Sequence, residues 1–397
     1  MAPASPVYMD NNATTRVDPA VLEEMLPYFS DLYGNPSSMH TFGGQVGRTI
    51  SQARERVAEA FNCHPDEVMF NACGTEGDNT AIRSALASQP DKRHIITTRV
   101  EHPAVLNVAK HLERRGYDAT YLGVDAEGRL DLDELRESIR PDTALISVMY
   151  ANNETGVIFP IQEIAEIAKE RGVLVHTDAV QVLGKVPFDL KTLPVDFLAV
   201  SGHKVHAPKG VGALFVRKGV QFRPFMLGGH QERGRRAGTE NTTGIIGLGK
   251  ACEIAMKNIA HENSAVKALR DKLEKALLAA IPDTRINGTV DARLPNTTSL
   301  AFQYVEGESI LLMLDAFGVC ASSGSACTSG SLEPSHVLRA MGVPFTYAHG
   351  SIRFSLSRFN TEADVDLVVK ELPPIITRLR EISPFKHAEG EAPACTC

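Results

Sequence analysis

Residues 173–209 read VLVHTDAVQVLGKVPFDLKTLPVDFLAVSGHKVHAPK, and the fold turns on this stretch. An apolar run at Val173, Leu174 and Val175 ends in Asp178 and Gln181; a second, at residues 197–200, ends in Ser201, His203 and Lys204. Short apolar runs bounded by turn residues read as buried strands. Each polar cluster therefore emerges where a strand stops. In open α/β sheets ligands bind outside the carboxyl ends of the strands, so an acid and an amine delivered there point to one site. The pair suits pyridoxal phosphate, whose aldehyde condenses with a lysine amine and whose ring nitrogen a carboxylate keeps protonated.

Other strands repeat the arrangement. The run at 94–98 leads into VEHPAV and places His102 just past its end, and the run at 144–150 leads into ANNETGV with Asn152, Asn153 and Glu154. The run at 67–71 precedes CGTEGDN, where Gly74 and Thr75 open a helical pattern whose free N–H groups suit a phosphate. Further strands are predicted at 118–124 and 210–217. A histidine taken singly is more often structural, but polar residues gathered at the same end of several strands describe a pocket. Helical patterns between most of the strands predict an α/β fold: a mainly parallel sheet with helices on both faces.

The remaining segments fill in around that sheet. Asp18-Pro19 caps a helix predicted over 19–29, and the spacing Val46, Ile50, Ala53, Val57, Phe61 predicts another. Residues 10–15, DNNATT, are too specific for a loose terminus. The loop at 222–244 carries Arg233, Arg235, Arg236 and Thr239, groups suited to reaching a phosphate across a subunit interface. A helical stretch over 243–280 leads to a smaller α+β region, in which residues 349–360 form an alternating strand carrying Arg353. Between them ASSGSACTSGSLEPSH, residues 321–336, is too poor in apolar side chains to build a core. It is expected to be mobile and exposed, which makes Cys327 a reagent rather than a packing residue. Cys63, Cys252 and Cys320 sit in apolar runs and are expected to react slowly.

Composition excludes several classes. The 397 residues, 43% hydrophobic and 22% charged with a net charge of −7, suit a globular enzyme and give no basic footprint for nucleic acid. No run approaches the roughly 20 apolar residues that span a bilayer, and the first residues lack a targeting pattern, so the expected location is the cytoplasm. Seven cysteines at irregular spacing do not make a secreted disulfide framework. Cys395 and Cys397, on a tail at 385–397 expected to be disordered, are too few to close a metal site.

The segments DNNATTRVD, GNPSS, CGTEGDN, EHPAV, ANNETG, HTDAVQ, SGHK, GGHQERGRRAGTEN and SSGSACTSGSLEPSH together resemble the cysteine desulfurase family, and the last two with HAPKGVG resemble its nitrogen-fixation branch. The likeness runs from about residue 7 to 384. It implies a fold-type I pyridoxal phosphate enzyme, with a seven-stranded, mainly parallel sheet in a large domain (15–260) and an α+β small domain (1–14 with 261–384). It also implies a homodimer with its active sites at the subunit interface. Carried over by position, Lys204 holds the cofactor as a Schiff base, Asp178 pairs with the ring nitrogen, and His102 stacks on the ring and moves protons. Gln181 and Asn153 lie at the phenolic oxygen, Asn153 also near the substrate. Gly74, Thr75, Ser201 and His203 hold the phosphate with Thr239 of the partner subunit. Arg353 clamps the substrate carboxylate. Cys327 takes the sulfur of L-cysteine as a persulfide, leaving L-alanine, and could ligate an iron–sulfur cluster during transfer to a scaffold protein. Cys73 stands where relatives often have serine or threonine. Another pyridoxal phosphate enzyme, such as an aminotransferase or selenocysteine lyase, or a non-enzymatic sulfur carrier, would fit part of the same pattern.

Overall fold

The computed structural model describes residues 6–323 and 334–384. The expectations for the loop around Cys327 and for the tail with Cys395 and Cys397 fall outside these. In chain order the strands are β1 Val7–Tyr8, β2 Val68–Asn71, β3 His94–Thr98, β4 Asp118–Leu122, β5 Thr143–Ser147, β6 Leu174–Asp178, β7 Phe197–Ser201 and β8 Gly212–Val216, then β9 Thr284–Ile286, β10 Thr297–Phe302, β11 Val319–Cys320 and β12 Ser351–Ser355.

The central sheet has seven strands in the order β2-β8-β7-β6-β5-β3-β4. Strands β7, β6, β5, β3 and β4 run parallel to one another, while β8 is antiparallel to both β7 and β2. The carboxyl ends of β7, β6, β5 and β3 therefore open on one edge. The chain leaves β3 for β4 on one side and returns to β5 on the other, so the strand order reverses between β3 and β5. Such a reversal leaves a crevice at the strand ends.

Side-chain alternation sends each strand to two cores. Phe197, Ala199, Leu145, Met69 and Leu214 pack with the helices Gly74–Ala87 and Pro103–Glu113. Leu198, Val200, Ile146, Phe70 and Phe215 face the opposite layer, built from the helices Thr41–Phe61, Ile161–Glu170 and Thr242–His261. The expectation of helices on both faces holds. A separate apolar cluster joins Val7, Met9, Leu300, Phe302, Ile352 and Phe354 to the helices Lys267–Ala280 and Glu362–Ile382. Its three-stranded antiparallel sheet has the order β12-β10-β9.

Three local expectations needed revision. The helix predicted over 19–29 is two pieces, Pro19–Met25 and Pro27–Ser30, because Pro27 has no N–H to continue the ladder. The strand predicted over 144–150 leaves the regular ladder after Ser147. Val148 and Tyr150 still donate to the carbonyls of His176 and Asp178, at 3.1 and 2.8 Å, which carries the chain to the crevice. The 349–360 segment does not alternate between core and solvent: β12 is buried throughout, with Ile352 and Phe354 in the apolar cluster and Arg353 turned to the crevice.

Candidate active site

A cavity of about 310 Å³ lies in that crevice, and Gly74, Thr75, His102, Asn153, Asp178, Gln181, Ser201, His203, Lys204 and Arg353 all line it. Segments up to 279 residues apart in sequence thus converge, from Gly74 to Arg353.

Asp178 is the last residue of β6, and its Oδ1 accepts the N–H of Val180 at 2.9 Å. Burial pushes its carboxyl upward, a shift that a protonated His102 or Lys204 nearby would oppose. Lys204 closes the short turn Gly202–Lys204 directly after β7. Its amine donates to the backbone carbonyls of Asn12 and, at 2.7 Å, of Ala13. The DNNATT segment is therefore the seat of the lysine. Asn12 also bonds Thr297 Oγ1 at 2.9 Å and the Asn153 carbonyl at 3.2 Å, and its own carbonyl accepts from Gln181 Nε2 at 2.9 Å.

His102 caps the helix Pro103–Glu113, its Nδ1 accepting the N–H of Ala104 at 3.1 Å. That contact occupies Nδ1. Burial lowers its pKa, so the ring is neutral near pH 7. Arg353 is 3% exposed and donates through Nη1 to the Asn153 carbonyl at 2.9 Å and through Nη2 to Asp10 Oδ1 at 2.6 Å.

The helix Gly74–Ala87 points its start at the cavity. Cys73, its cap residue, makes no side-chain bond to the first turn, which leaves those N–H groups for a ligand. Glycine is required at 74, since a Cβ there would meet Val180 Cγ2 at 2.5 Å. Ser201 Oγ is buried with no hydrogen-bond partner among the described residues. A buried unpaired hydroxyl is costly unless something arrives to meet it.

The sequence left several buried groups here without a role. Asp78, one helical turn after Gly74, lines the same cavity, and its carboxyl is pushed well upward by burial and by the neighbouring Asp178 and Glu101. His176, two residues before Asp178 on the same strand face, lies 3.4 Å from Asp78 Oδ1. Burial holds it down to about 3, so it is neutral. Glu101 Oε1 accepts from Thr98 Oγ1 and the Met149 N–H, each at 2.9 Å, and burial raises the carboxyl to about 8. The signals were the i, i+4 spacing after Gly74 and the i, i+2 spacing before Asp178.

The loop arginines behave differently from expectation. Arg233 pairs with Asp66, Arg235 donates to the Asp66 carbonyl at 2.8 Å, and Arg236 meets Glu76 at 2.9 Å, all within the chain. Thr239 is exposed and does not line the cavity.

Comparison with known proteins agrees with this geometry. The family model "Aminotransferase class-V" matches residues 7–368. The cysteine desulfurase of Trichormus azollae is 62% identical over 386 residues, 97% of this chain and 96% of its own. The cysteine desulfurase NifS of Azotobacter vinelandii is 55% identical over 385 residues, again 97% and 96%. A solved structure described as a NifS-like protein superposes with a TM-score of 0.89 at 41% identity, covering 94% of this chain and 100% of that one. The cofactor of these enzymes is pyridoxal phosphate, and the residues present fit it: an amine and a buried carboxylate face one cavity, while an uncapped helix start and the unpaired Ser201 hydroxyl suit its phosphate. The chain belongs to the aminotransferase class-V family, on the cysteine desulfurase branch that includes NifS.

Proposed function

We propose that the protein removes sulfur from L-cysteine, giving L-alanine and a persulfide on Cys327 that supplies iron–sulfur cluster assembly, including nitrogenase maturation. The observation that carries this reading is that Lys204, Asp178, His102 and Arg353 line one cavity. The likeness to cysteine desulfurases, NifS among them, selects the substrate.

Pyridoxal phosphate, when bound, supplies a sink for the electrons left on the substrate's α-carbon. The chain does the rest. Asp178 keeps the ring nitrogen protonated, and Gly74, Thr75, Ser201 and His203 take the phosphate. Arg353 exchanges Asp10 for the substrate carboxylate in a planar two-point contact, with Asn153 beside it. Lys204 Nζ takes the α-proton, and His102 Nε2 carries protons between substrate and product. The Cys327 thiolate attacks the substrate sulfur, so one carbon–sulfur bond breaks, one sulfur–sulfur bond forms, and the carbon is reprotonated. Cysteine and the enzyme thiol become alanine and the enzyme persulfide, with no external oxidant.

Residues 15–260 then form the cofactor-holding domain, and 1–14 with 261–384 the smaller one. A homodimer would bring Thr239 of the partner subunit to the phosphate. Supporting this, Phe225, Met226 and Leu227 in the same loop are exposed, Leu227 at 79%, as are Tyr33 and Met39, and exposed apolar patches mark interfaces. An iron–sulfur scaffold protein is the inferred acceptor and the cytoplasm the inferred location; among the described residues no helix is long and apolar enough to cross a membrane.

Product analysis tests the reading. The protein loaded with cofactor and given L-cysteine and a thiol reductant should release alanine and sulfide in equal amounts. A keto acid formed from an amino donor would identify an aminotransferase instead, and turnover confined to selenocysteine a lyase.

A further inference from the structure

Lys185 is 7% exposed, and the mechanism above does not use it. Its amine donates to the carbonyl of Gln181 at 3.3 Å and to Gln181 Oε1 at 3.4 Å. Gln181 Nε2 donates to the Asn12 carbonyl at 2.9 Å, the same carbonyl that accepts from Lys204. A cation offers only donors, and a carbonyl only accepts. Lys185 on one side and Asn12 on the other therefore fix which end of the Gln181 amide is oxygen and which is nitrogen.

Behind Lys185 the long helical stretch that the sequence predicted over 243–280 is interrupted. Residues Glu262–Val266 form a π-turn between the helices Thr242–His261 and Lys267–Ala280. Such insertions cost regular hydrogen bonding and concentrate at functional sites. This one turns two consecutive side chains toward Lys185. Asn263 Nδ2 donates to the Lys185 carbonyl at 2.8 Å. Glu262, 6% exposed, lines with Lys185 a second cavity of about 20 Å³, and its Oε2 has no hydrogen-bond partner among the described residues. That volume holds about one water, which needs polar partners of this kind.

We propose that Lys185 is a positioning residue for the cofactor. Its ammonium, favoured by the Glu262 carboxylate across the small cavity and carried on a backbone that Asn263 of the π-turn holds through the Lys185 carbonyl, locks the Gln181 amide so that only N–H donors face the main cavity. A locked donor there suits an oxygen that carries negative charge, the phenolic oxygen of pyridoxal phosphate. This rests on the cofactor assignment and names the device that tunes it. The charged groups bearing on Lys185 are Glu262, which favours its charge, and Arg353, which opposes it; His206, Lys204 and Arg358 line the same small cavity. Burial brings the amine down to about 8, so the lock is engaged at neutral pH and loosens above about 8.

The test uses the full chain loaded with pyridoxal phosphate and follows its visible absorption against pH. In Lys185→Met, which keeps the side-chain length and removes the charge, the midpoint of the spectral change should rise by about one pH unit, because a negative oxygen has lost its donor. Cofactor affinity should weaken roughly tenfold. If the single variant folds poorly because Glu262 is left without its cation, Lys185→Met with Glu262→Gln removes both charges and should show the same spectral shift. Glu262→Gln alone should match wild type at pH 7 and move toward Lys185→Met at a lower pH than wild type does. A spectral midpoint unmoved in both Lys185 variants overturns the inference, even if stability falls, because packing alone does not shift it. A wild-type protein with no visible band would instead overturn the cofactor assignment itself.

Discussion

Two buried carboxylate neighbourhoods in this molecule treat charge in opposite ways. Glu274 faces Arg293 in a two-point contact, Nη1 to Oε2 at 2.7 Å and Nη2 to Oε1 at 3.0 Å, with Thr298 Oγ1 adding a third bond at 2.5 Å. Burial alone would raise the Glu274 carboxyl, but the Arg293 and Thr298 bonds overcome it and the net shift is downward. Around the main cavity, burial wins. Asp178, Asp78 and Glu101 are all raised, and Glu101 Oε2, Asp78 Oδ1 and the Ser201 hydroxyl have no hydrogen-bond partner among the described residues. Burial therefore has two outcomes here: where an arginine and a hydroxyl complete the set the carboxylate stays charged, and where they do not it is pushed toward its neutral form, with Asp178 and Asp78 lining the cavity.

The difference can be broken from either side. Arg293→Met should lower stability by about 3–5 kcal/mol, because it strands a buried carboxylate. Chemical unfolding should show this, while the absorption of bound cofactor stays where it was. Asp178→Asn should do the reverse. It should fold and retain cofactor but lose roughly 10²–10³-fold in turnover, about 3–4 kcal/mol of barrier, as for removal of other preorganised charges. Near-normal turnover in Asp178→Asn would show that the carboxylate does not face the ring nitrogen.

A smaller effect sharpens the comparison through pH. Glu101 is raised from 4.5 to about 8, so its protonated form is favoured in the folded state. The stability this gives is fully present below about pH 4.5 and is lost as pH rises through about 8. Glu101→Gln, permanently neutral and still able to accept from Thr98 and Met149, should match wild type at pH 5. At pH 9 it should be more stable by about 1–3 kcal/mol. Urea unfolding of the cofactor-free protein at the two values decides it, and equal stability at pH 9 would mean that folding does not raise the Glu101 carboxyl.

Much of this was legible in the sequence, for a definite reason. Asp178, Ser201 and Lys204 sit at or just after strand ends, and strand ends show as the place where an apolar run stops. Once the strands are parallel neighbours, their carboxyl ends must share an edge. What the sequence hid depends on pairing at long range. DNNATT was recognisable as specific, but nothing local says that the Asn12 and Ala13 carbonyls seat an amine 192 positions beyond Asn12. The loop arginines carried the right chemistry for a phosphate, yet Asp66 and Glu76, far away in sequence, engage them first. The break at residue 262 has no helix-breaking residue to announce it; at the π-turn Asn263 bonds the Lys185 carbonyl and Glu262 lines a cavity with Lys185, long-range relations that an uninterrupted helical pattern does not show.

The most direct test of the account follows the sulfur. Wild-type and Cys327→Ala proteins, both loaded with cofactor, are given one equivalent of L-cysteine without reductant, and each cysteine-containing peptide is then weighed for added sulfur. Cys327→Ala should bind cofactor and change its absorption on meeting cysteine, since Lys204, Asp178 and Arg353 are intact, yet release almost no alanine. The account predicts one extra sulfur on the Cys327 peptide of the wild type, with about one alanine per chain and none on Cys63 or Cys252, whose thiols burial raises to about 12. Sulfur found first on Cys395 or Cys397, or alanine formed at the normal rate by Cys327→Ala, would contradict it.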